Sequence, residues 1–196
     1  MLDDPMGLIA VAALALWFLV TWQGGLRLLR EVRHLLGVGR PMEALLLVMG
    51  VSMNIVNIAY ELARRQWNLP NFPLGIPTGL RLAGLAPLAV GFIWATWARR
   101  SLGSAWSTAV RRPQADLNQV GPYRIVRHPI YAGAACFYVG LMLVQYNVTG
   151  VVFFGTHIIG FILKAAREDR FLSLKIPQEY GPYKSSVRWR LLPGVW

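Results

Sequence analysis

Residues 121–133 read GPYRIVRHPIYAG, and the fold turns on the junction in the middle of this stretch. Arg124, Arg127 and His128 crowd its first half, and a long apolar run starts at Ile130. Cationic and titratable groups gathered at the mouth of an apolar segment mark the start of a membrane helix. Pro129 forces His128 out of the right-handed helical region and itself suits a first helical turn. The expected arrangement is a helix that opens at Pro129. His128 lies just outside it, facing the same polar pocket as the free N–H groups of the first turn. The plainer alternative is that Arg127 and His128 only anchor the helix in the interface.

Composition agrees with the membrane reading. Of the 196 residues, 55% are hydrophobic and only 15% charged, where a soluble domain carries about a quarter. The net charge of +11 does not point to nucleic acid, because the basic residues are interleaved with spans too apolar for a soluble binder. Loop charge at the cytoplasmic face and contact with anionic membrane lipids explain it better. The single cysteine, Cys136, sits inside an apolar run and excludes both an internal disulfide and a cysteine-based zinc site; no metal site is expected. Asp3 and Asp4 stand where a cleavable signal would carry basic residues, so the first apolar segment is read as retained.

Five spans follow, in an all-α polytopic membrane protein forming one domain over 1–196. An N-terminal helix hairpin is expected over 1–69 and a core over 70–196. Met6 to Trp22 is the first span. Gly24 to Arg40 collects Arg27, Arg30, Arg33, His34 and Arg40 against Glu31 alone, which sets it on the cytoplasmic side and the N-terminus outside. Met42 to Ala63 is the second span, with Asn54 and Asn57 three residues apart and expected to join helices. Pro70, Pro73 and Pro77 break up an outer loop anchored by Trp67. Leu80 to Ala98 is the third span, stopped by Arg99 and Arg100. Ser101 to Val120 is too long and polar for an idle connector and is expected to cover a site.

Ile130 to Tyr146 and Val148 to Leu163 form a hairpin of two spans turned at Asn147, with His157 in mid-span as a core residue. The second helix should run on through Lys175 with Phe171, Leu172 and Leu174 as an apolar stripe. Pro177 should open a short helix that Gly181-Pro182 disrupts. Arg188, Trp189 and Arg190 read as an interfacial clamp. With these spans, Tyr123, Arg127, His128, Tyr131, Lys164, Arg167, Glu168, Tyr180 and Tyr183 all fall on the cytoplasmic face, although none was used to place them.

The order Gly-x-Tyr, then Arg-His-Pro-x-Tyr, resembles the signature of the integral-membrane S-adenosylmethionine methyltransferases, the superfamily of isoprenylcysteine carboxyl methyltransferases and phospholipid methyltransferases. Arg167-Glu168-Asp169-Arg170-Phe171-Leu172 resembles its acidic-pair segment, and Glu179-Tyr180 with Tyr183 its Glu-Tyr-x-x-Tyr element. Leu102-Gly103-Ser104-Ala105-Trp106-Ser107 is similar to a stretch upstream in some members. The resemblance runs from about Pro70 to Pro193 and leaves the first third uncovered.

The resemblance implies that Tyr123, Arg127, His128, Pro129, Ile130 and Tyr131 line a site for S-adenosylmethionine, whose product is S-adenosylhomocysteine. Tyr180 and Tyr183 of the Glu-Tyr-x-x-Tyr element belong to the same site. It implies the same, less directly, of Ala115, Asp116, Leu117 and Asn118, and it assigns Glu168 as the acid that contacts the cofactor. Isoprenylcysteine methyltransferases carry an arginine four residues before that acid to hold a substrate carboxylate. Here the position is Lys164, with Arg167 beside the acid, so Lys164 and Arg167 are the catalytic candidates. Lysine keeps the charge and loses the bidentate fork, which weakens the case for a carboxylate acceptor. Asp169 falls on a second family acid, with an exposed helix charge as the alternative.

The residue types suit the chemistry. Methyl transfer from a sulfonium is an in-line displacement that needs positioning and exclusion of water. Basic groups and helix N–H groups suit the donor's carboxylate, an acid its ammonium or ribose, and aromatics its adenine and cation. The acceptor is expected to be hydrophobic or lipid-linked: an isoprenylcysteine-like carboxylate, a phospholipid amine or a thiol. Two other classes compete, an NADPH-binding sterol-reductase-like enzyme and a non-catalytic lipid-binding membrane protein. The former has more spans than this chain. A prokaryotic inner membrane is the expected location.

Overall fold

The computed structural model describes residues 5–22, 26–37, 39, 41–67, 75–102, 117 and 119–194. The helices are α1 (Pro5–Trp22), α2 (Leu26–Gly37), α3 (Pro41–Gln66), α4 (Thr78–Ala83), α5 (Leu85–Leu102), α6 (Pro129–Gln145), α7 (Val148–Lys175) and α8 (Pro177–Ser186), with a 3-10 turn at Gly121–Arg124. The protein is all-α. Three segments, Glu43–Gln66, Thr78–Leu102 and Val148–Lys175, are long and apolar enough to cross a membrane, and Pro5–Thr21 and Pro129–Gln145 are shorter apolar helices. Exposed Leu8, Leu16, Leu19, Ile55, Val90, Ile93, Val152 and Ile159 give these helices the apolar exterior that lipid requires. The chain divides into two compact units, Met1–Leu85 with Leu141–Gly155, and Ala86–Gly140 with Thr156–Trp196.

In the first unit α1 turns Met6, Ala10 and Leu14 inward at the four-residue spacing of one helix face, and α1, α2 and α3 pack on one another. The basic segment after α1 is a helix, which its charge density had obscured. A polar clasp centres on Glu61, which is fully buried in α3. Its Oε2 accepts from Arg64 Nε at 2.7 Å. Its Oε1 accepts from Gln145 Nε2 at 2.8 Å and Asn147 Nδ2 at 3.3 Å. Asn147 in turn caps α7, accepting the Gly150 N–H at 2.7 Å. Arg81 donates twice to the Val144 carbonyl, at 3.0 and 3.1 Å, and so satisfies a terminal carbonyl of α6.

The expectation that Asn54 and Asn57 join helices is corrected for Asn57. Asn54 donates to the Gly50 carbonyl of its own helix at 2.8 Å. Asn57 is fully buried, and neither of its side-chain polar atoms has a partner among the described residues. Glu61, four residues further along the same face, is the group that ties α3 to the α6–α7 turn.

In the second unit α5 and α6 come into backbone contact through glycines. A Cβ at Gly133 would lie 2.6 Å from the Ala95 nitrogen, and one at Gly91 would collide with the Phe137 backbone. Small residues at a helix crossing allow this approach, which stands in for the hydrophobic effect where lipid surrounds the helices. The polar side of this unit closes on two apolar clusters. One joins Leu172, Ile176, Tyr180, Tyr183 and Val187; the other joins Val126, Ala132, Ala165 and Leu191, with Trp94 and Tyr131 packed against it.

Three details differ from expectation. The third span continues past Arg99 and Arg100 to Leu102, because arginine is compatible with a helix that has already left the apolar layer. Leu174 does not share a stripe with buried Leu172: it is 71% exposed. Pro182 lies inside α8 instead of ending a helix at Gly181. Gly181 has no Cβ to clash with the proline ring, and the carbonyl deprived of a donor belongs to exposed Gln178.

Candidate functional site

The cluster is assembled by local chain stiffness at the start of α6. Gly121 takes φ +57°, and a Cβ there would lie 2.7 Å from Ser101 Oγ, so the turn suits glycine. The 3-10 turn that follows buries Pro122 and Tyr123. α6 then opens at Pro129 as expected, with the His128 carbonyl accepting from Ala132 N–H at 3.0 Å. His128 thus stands one residue outside the helix, and it is buried to 6% exposure.

Asp169 on α7 is the hub. The expectation had left open an exposed helix charge at this position, yet its side chain is only 2% exposed. Oδ1 accepts from Arg127 Nε at 2.9 Å, from His128 Nε2 at 3.3 Å and from Tyr180 OH at 2.5 Å. Oδ2 accepts from Arg127 Nη2 at 3.3 Å and from Arg190 Nε at 3.2 Å, with Lys184 Nζ at 3.9 Å. A carboxylate with this many donors is held ionised and fixed in direction.

The C-terminal segment closes the hub. The backbone N–H groups of Arg127 and His128 donate to the carbonyls of Trp189 and Arg190 at 2.9 and 3.0 Å. Arg127 Nη1 donates to the carbonyls of Val187 and Arg188 at 2.8 and 2.6 Å. Tyr183 OH donates to the Tyr123 carbonyl at 2.9 Å. Arg188, Trp189 and Arg190, expected as an interfacial clamp, form a backbone strap. Its sequence signal was the unusual arginine density, and the pairing partner could not be read from it.

His128 stands between two acids, with Nδ1 3.7 Å from Glu168 Oε2 on the side opposite Asp169. Burial alone would lower the imidazole pKa, but the hydrogen bonds and charges of Asp169 and Glu168 outweigh it and raise the net value. Burial pushes the phenols of Tyr123, Tyr180 and Tyr183 above their usual range, so these rings are neutral donors at physiological pH.

Glu168 differs from Asp169 in keeping a quarter of its side chain exposed. Tyr131 is within hydrogen-bonding reach of it, and Lys164 Nζ lies 5.5 Å from the Tyr131 ring centre. Tyr131 stacks between His128 and Phe161, with ring centres 5.9 and 6.2 Å apart. Tyr138 continues the aromatic column to His157, stacked on it at 4.6 Å.

Tyr123, Arg127, His128, Pro129, Tyr131, Lys164, Glu168, Tyr180 and Tyr183 are thus brought to one end of the second unit. Ile130 enters the first turn of α6 half-buried, and Leu117 packs against the Leu172–Val187 cluster. Arg167 is exposed, about 100° round α7 from Glu168. Ala115, Asp116 and Asn118 lie outside the described residues, as does most of the Ser101 to Val120 stretch expected to cover the site. Among the described residues no group of three or more metal-type side chains forms a metal site.

No curated protein matches the chain. Residues 80–176, which carry α5, α6 and α7 with His128, Glu168 and Asp169, match the phospholipid methyltransferase family, a domain of the integral-membrane methyltransferase superfamily.

Proposed function

We propose that the protein transfers a methyl group from S-adenosylmethionine to a hydrophobic or lipid-linked acceptor. The observation that carries this reading is the contrast between the two neighbouring acids. Asp169 is saturated by its own protein, while Glu168 keeps an open flank beside a cation, a phenol and an imidazole. A site built to take a zwitterionic ligand needs such an open carboxylate, rigidly backed.

The donor set fits the cofactor. Glu168 suits its ammonium or ribose hydroxyls, Lys164 and the first turn of α6 suit its carboxylate, and the Tyr131 face suits a cation. The cofactor supplies an electrophilic methyl on a sulfonium. The chain's own contribution is to hold groups in line and keep water away. His128 orients Glu168 from behind. Both of its ring nitrogens face carboxylates, so it is poorly placed to accept a proton from an acceptor amine. Glu168 remains as the proton acceptor if the methyl acceptor is an amine that arrives as its ammonium and must lose a proton before attack; a carboxylate or thiolate needs only the positive charge of Lys164.

The basic loops support a cytoplasmic location for this end of the protein, with the N-terminus outside. Calorimetry on the detergent-purified full chain tests the function. S-adenosylhomocysteine should bind, and binding should be lost in Glu168→Ala and His128→Ala. Binding of NADPH in its place would overturn the reading in favour of a reductase.

A further inference from the structure

We propose that α2 is an in-plane helix that holds anionic phospholipid headgroups at one membrane surface, through Arg27, Arg30 and Arg33. The helix carries three distinct faces. Glu31 and Leu35 are buried, at 9% and 1% exposure, where α2 packs on α3. Leu29 and Leu36, seven residues apart and so on one line, are exposed at 57% and 54%. Arg30 and Arg33 are exposed on the third side, and Arg27 is half-buried beside the charge of Glu31. A helix in water has no use for the leucine line, and one enclosed by protein would hide it. Protein on one flank, hydrocarbon on the next and headgroups on the third is the environment that satisfies all three.

Chain length fixes the orientation. α2 is about 18 Å long, and the three residues on each side reach only about 14 Å. Its ends therefore stay near the surface where apolar α1 ends and membrane-length α3 begins. A strongly hydrated ammonium would suit a point charge. Three arginines suit planar, multidentate contact with phosphate oxygens, and the only acid in the helix is turned inward.

Native mass spectrometry of the full chain, titrated separately with dioleoylphosphatidylglycerol and dioleoylphosphatidylcholine, tests this. The anionic lipid should bind more tightly, and Arg27→Gln/Arg30→Gln/Arg33→Gln should weaken it by about a hundredfold. Lys175→Gln, on exposed α7 surface, should leave it unchanged. Wild-type affinity should fall as salt is raised, a measurement that needs no variant. Equal affinity for the two lipids, indifference to salt, or a folded triple variant with wild-type affinity would each overturn the proposal. So would a concentration-dependent dimer abolished by Leu29→Ser/Leu36→Ser, since the exposed face would then belong to a second copy.

Discussion

Arg127 and Asp169, 42 positions apart, meet in a two-pronged ion pair, Nε to Oδ1 at 2.9 Å and Nη2 to Oδ2 at 3.3 Å. The same guanidinium reaches the Val187 and Arg188 carbonyls, so one side chain ties together the start of α6, the last two turns of α7 and the C-terminal strap. Removing the acid leaves Arg127 buried without its counter-charge. Asp169→Ala should therefore destabilise the protein by about 3–5 kcal/mol. Asp169→Asn, which keeps the shape and part of the hydrogen bonding, should cost less. Thermal unfolding in detergent measures both, and an Asp169→Ala protein as stable as wild type would contradict the hub.

His128 makes stability depend on pH in a definite direction. Its pKa is raised in the folded protein, so the stabilisation is fully present below the ordinary histidine value of about 6.5 and is lost as pH rises through the higher folded value. The phenols of Tyr123, Tyr180 and Tyr183 are pushed upward and stay neutral across that window. The thermal midpoint of the wild type should fall with rising pH there, and His128→Gln should flatten the profile. An unchanged slope in the variant would rule out this histidine as its source.

The α5–α6 crossing predicts sharply different outcomes for glycines of different apolar helices. Gly133→Val should drive its side chain into the Ala95 backbone and destabilise by about 1–3 kcal/mol or more. Gly155→Ala and Gly160→Ala in α7 meet nothing within 4 Å and should be neutral or stabilising by up to about 1 kcal/mol. Unfolding midpoints of the three variants decide this.

Asn57 is a buried amide without a partner among the described residues, and such a group carries an uncompensated desolvation cost. Asn57→Leu, close in volume, should stabilise by about 1–3 kcal/mol. Loss of stability in that variant would show that the amide has a partner outside the described residues. Glu61→Ala should act oppositely, because it strands Arg64.

The sequence was informative where local chemistry dictates the answer. The Pro129 start of α6, the Asn147 turn and the run of α7 into Lys175 follow from proline geometry, capping and apolar length. Long-range pairing was not legible. Nothing near Asp169 in the chain announces that Arg127 and Arg190 arrive from either side, so burial at that position could not be separated from exposure. α2 was hidden for another reason: five basic residues between Gly24 and Arg40 read as loop charge, while its leucines alternate between two faces that only packing against α3 distinguishes. At Pro182 the proline rule overrode the relief that Gly181 provides.

The strap formed by Trp189 and Arg190 has a consequence for biosynthesis. Because their carbonyls complete the bonding of Arg127 and His128, the cluster around Asp169 cannot be complete on a nascent chain until residue 190 has emerged from the ribosome. The cluster around Asp169 is therefore completed only after every helix of the chain has been synthesised.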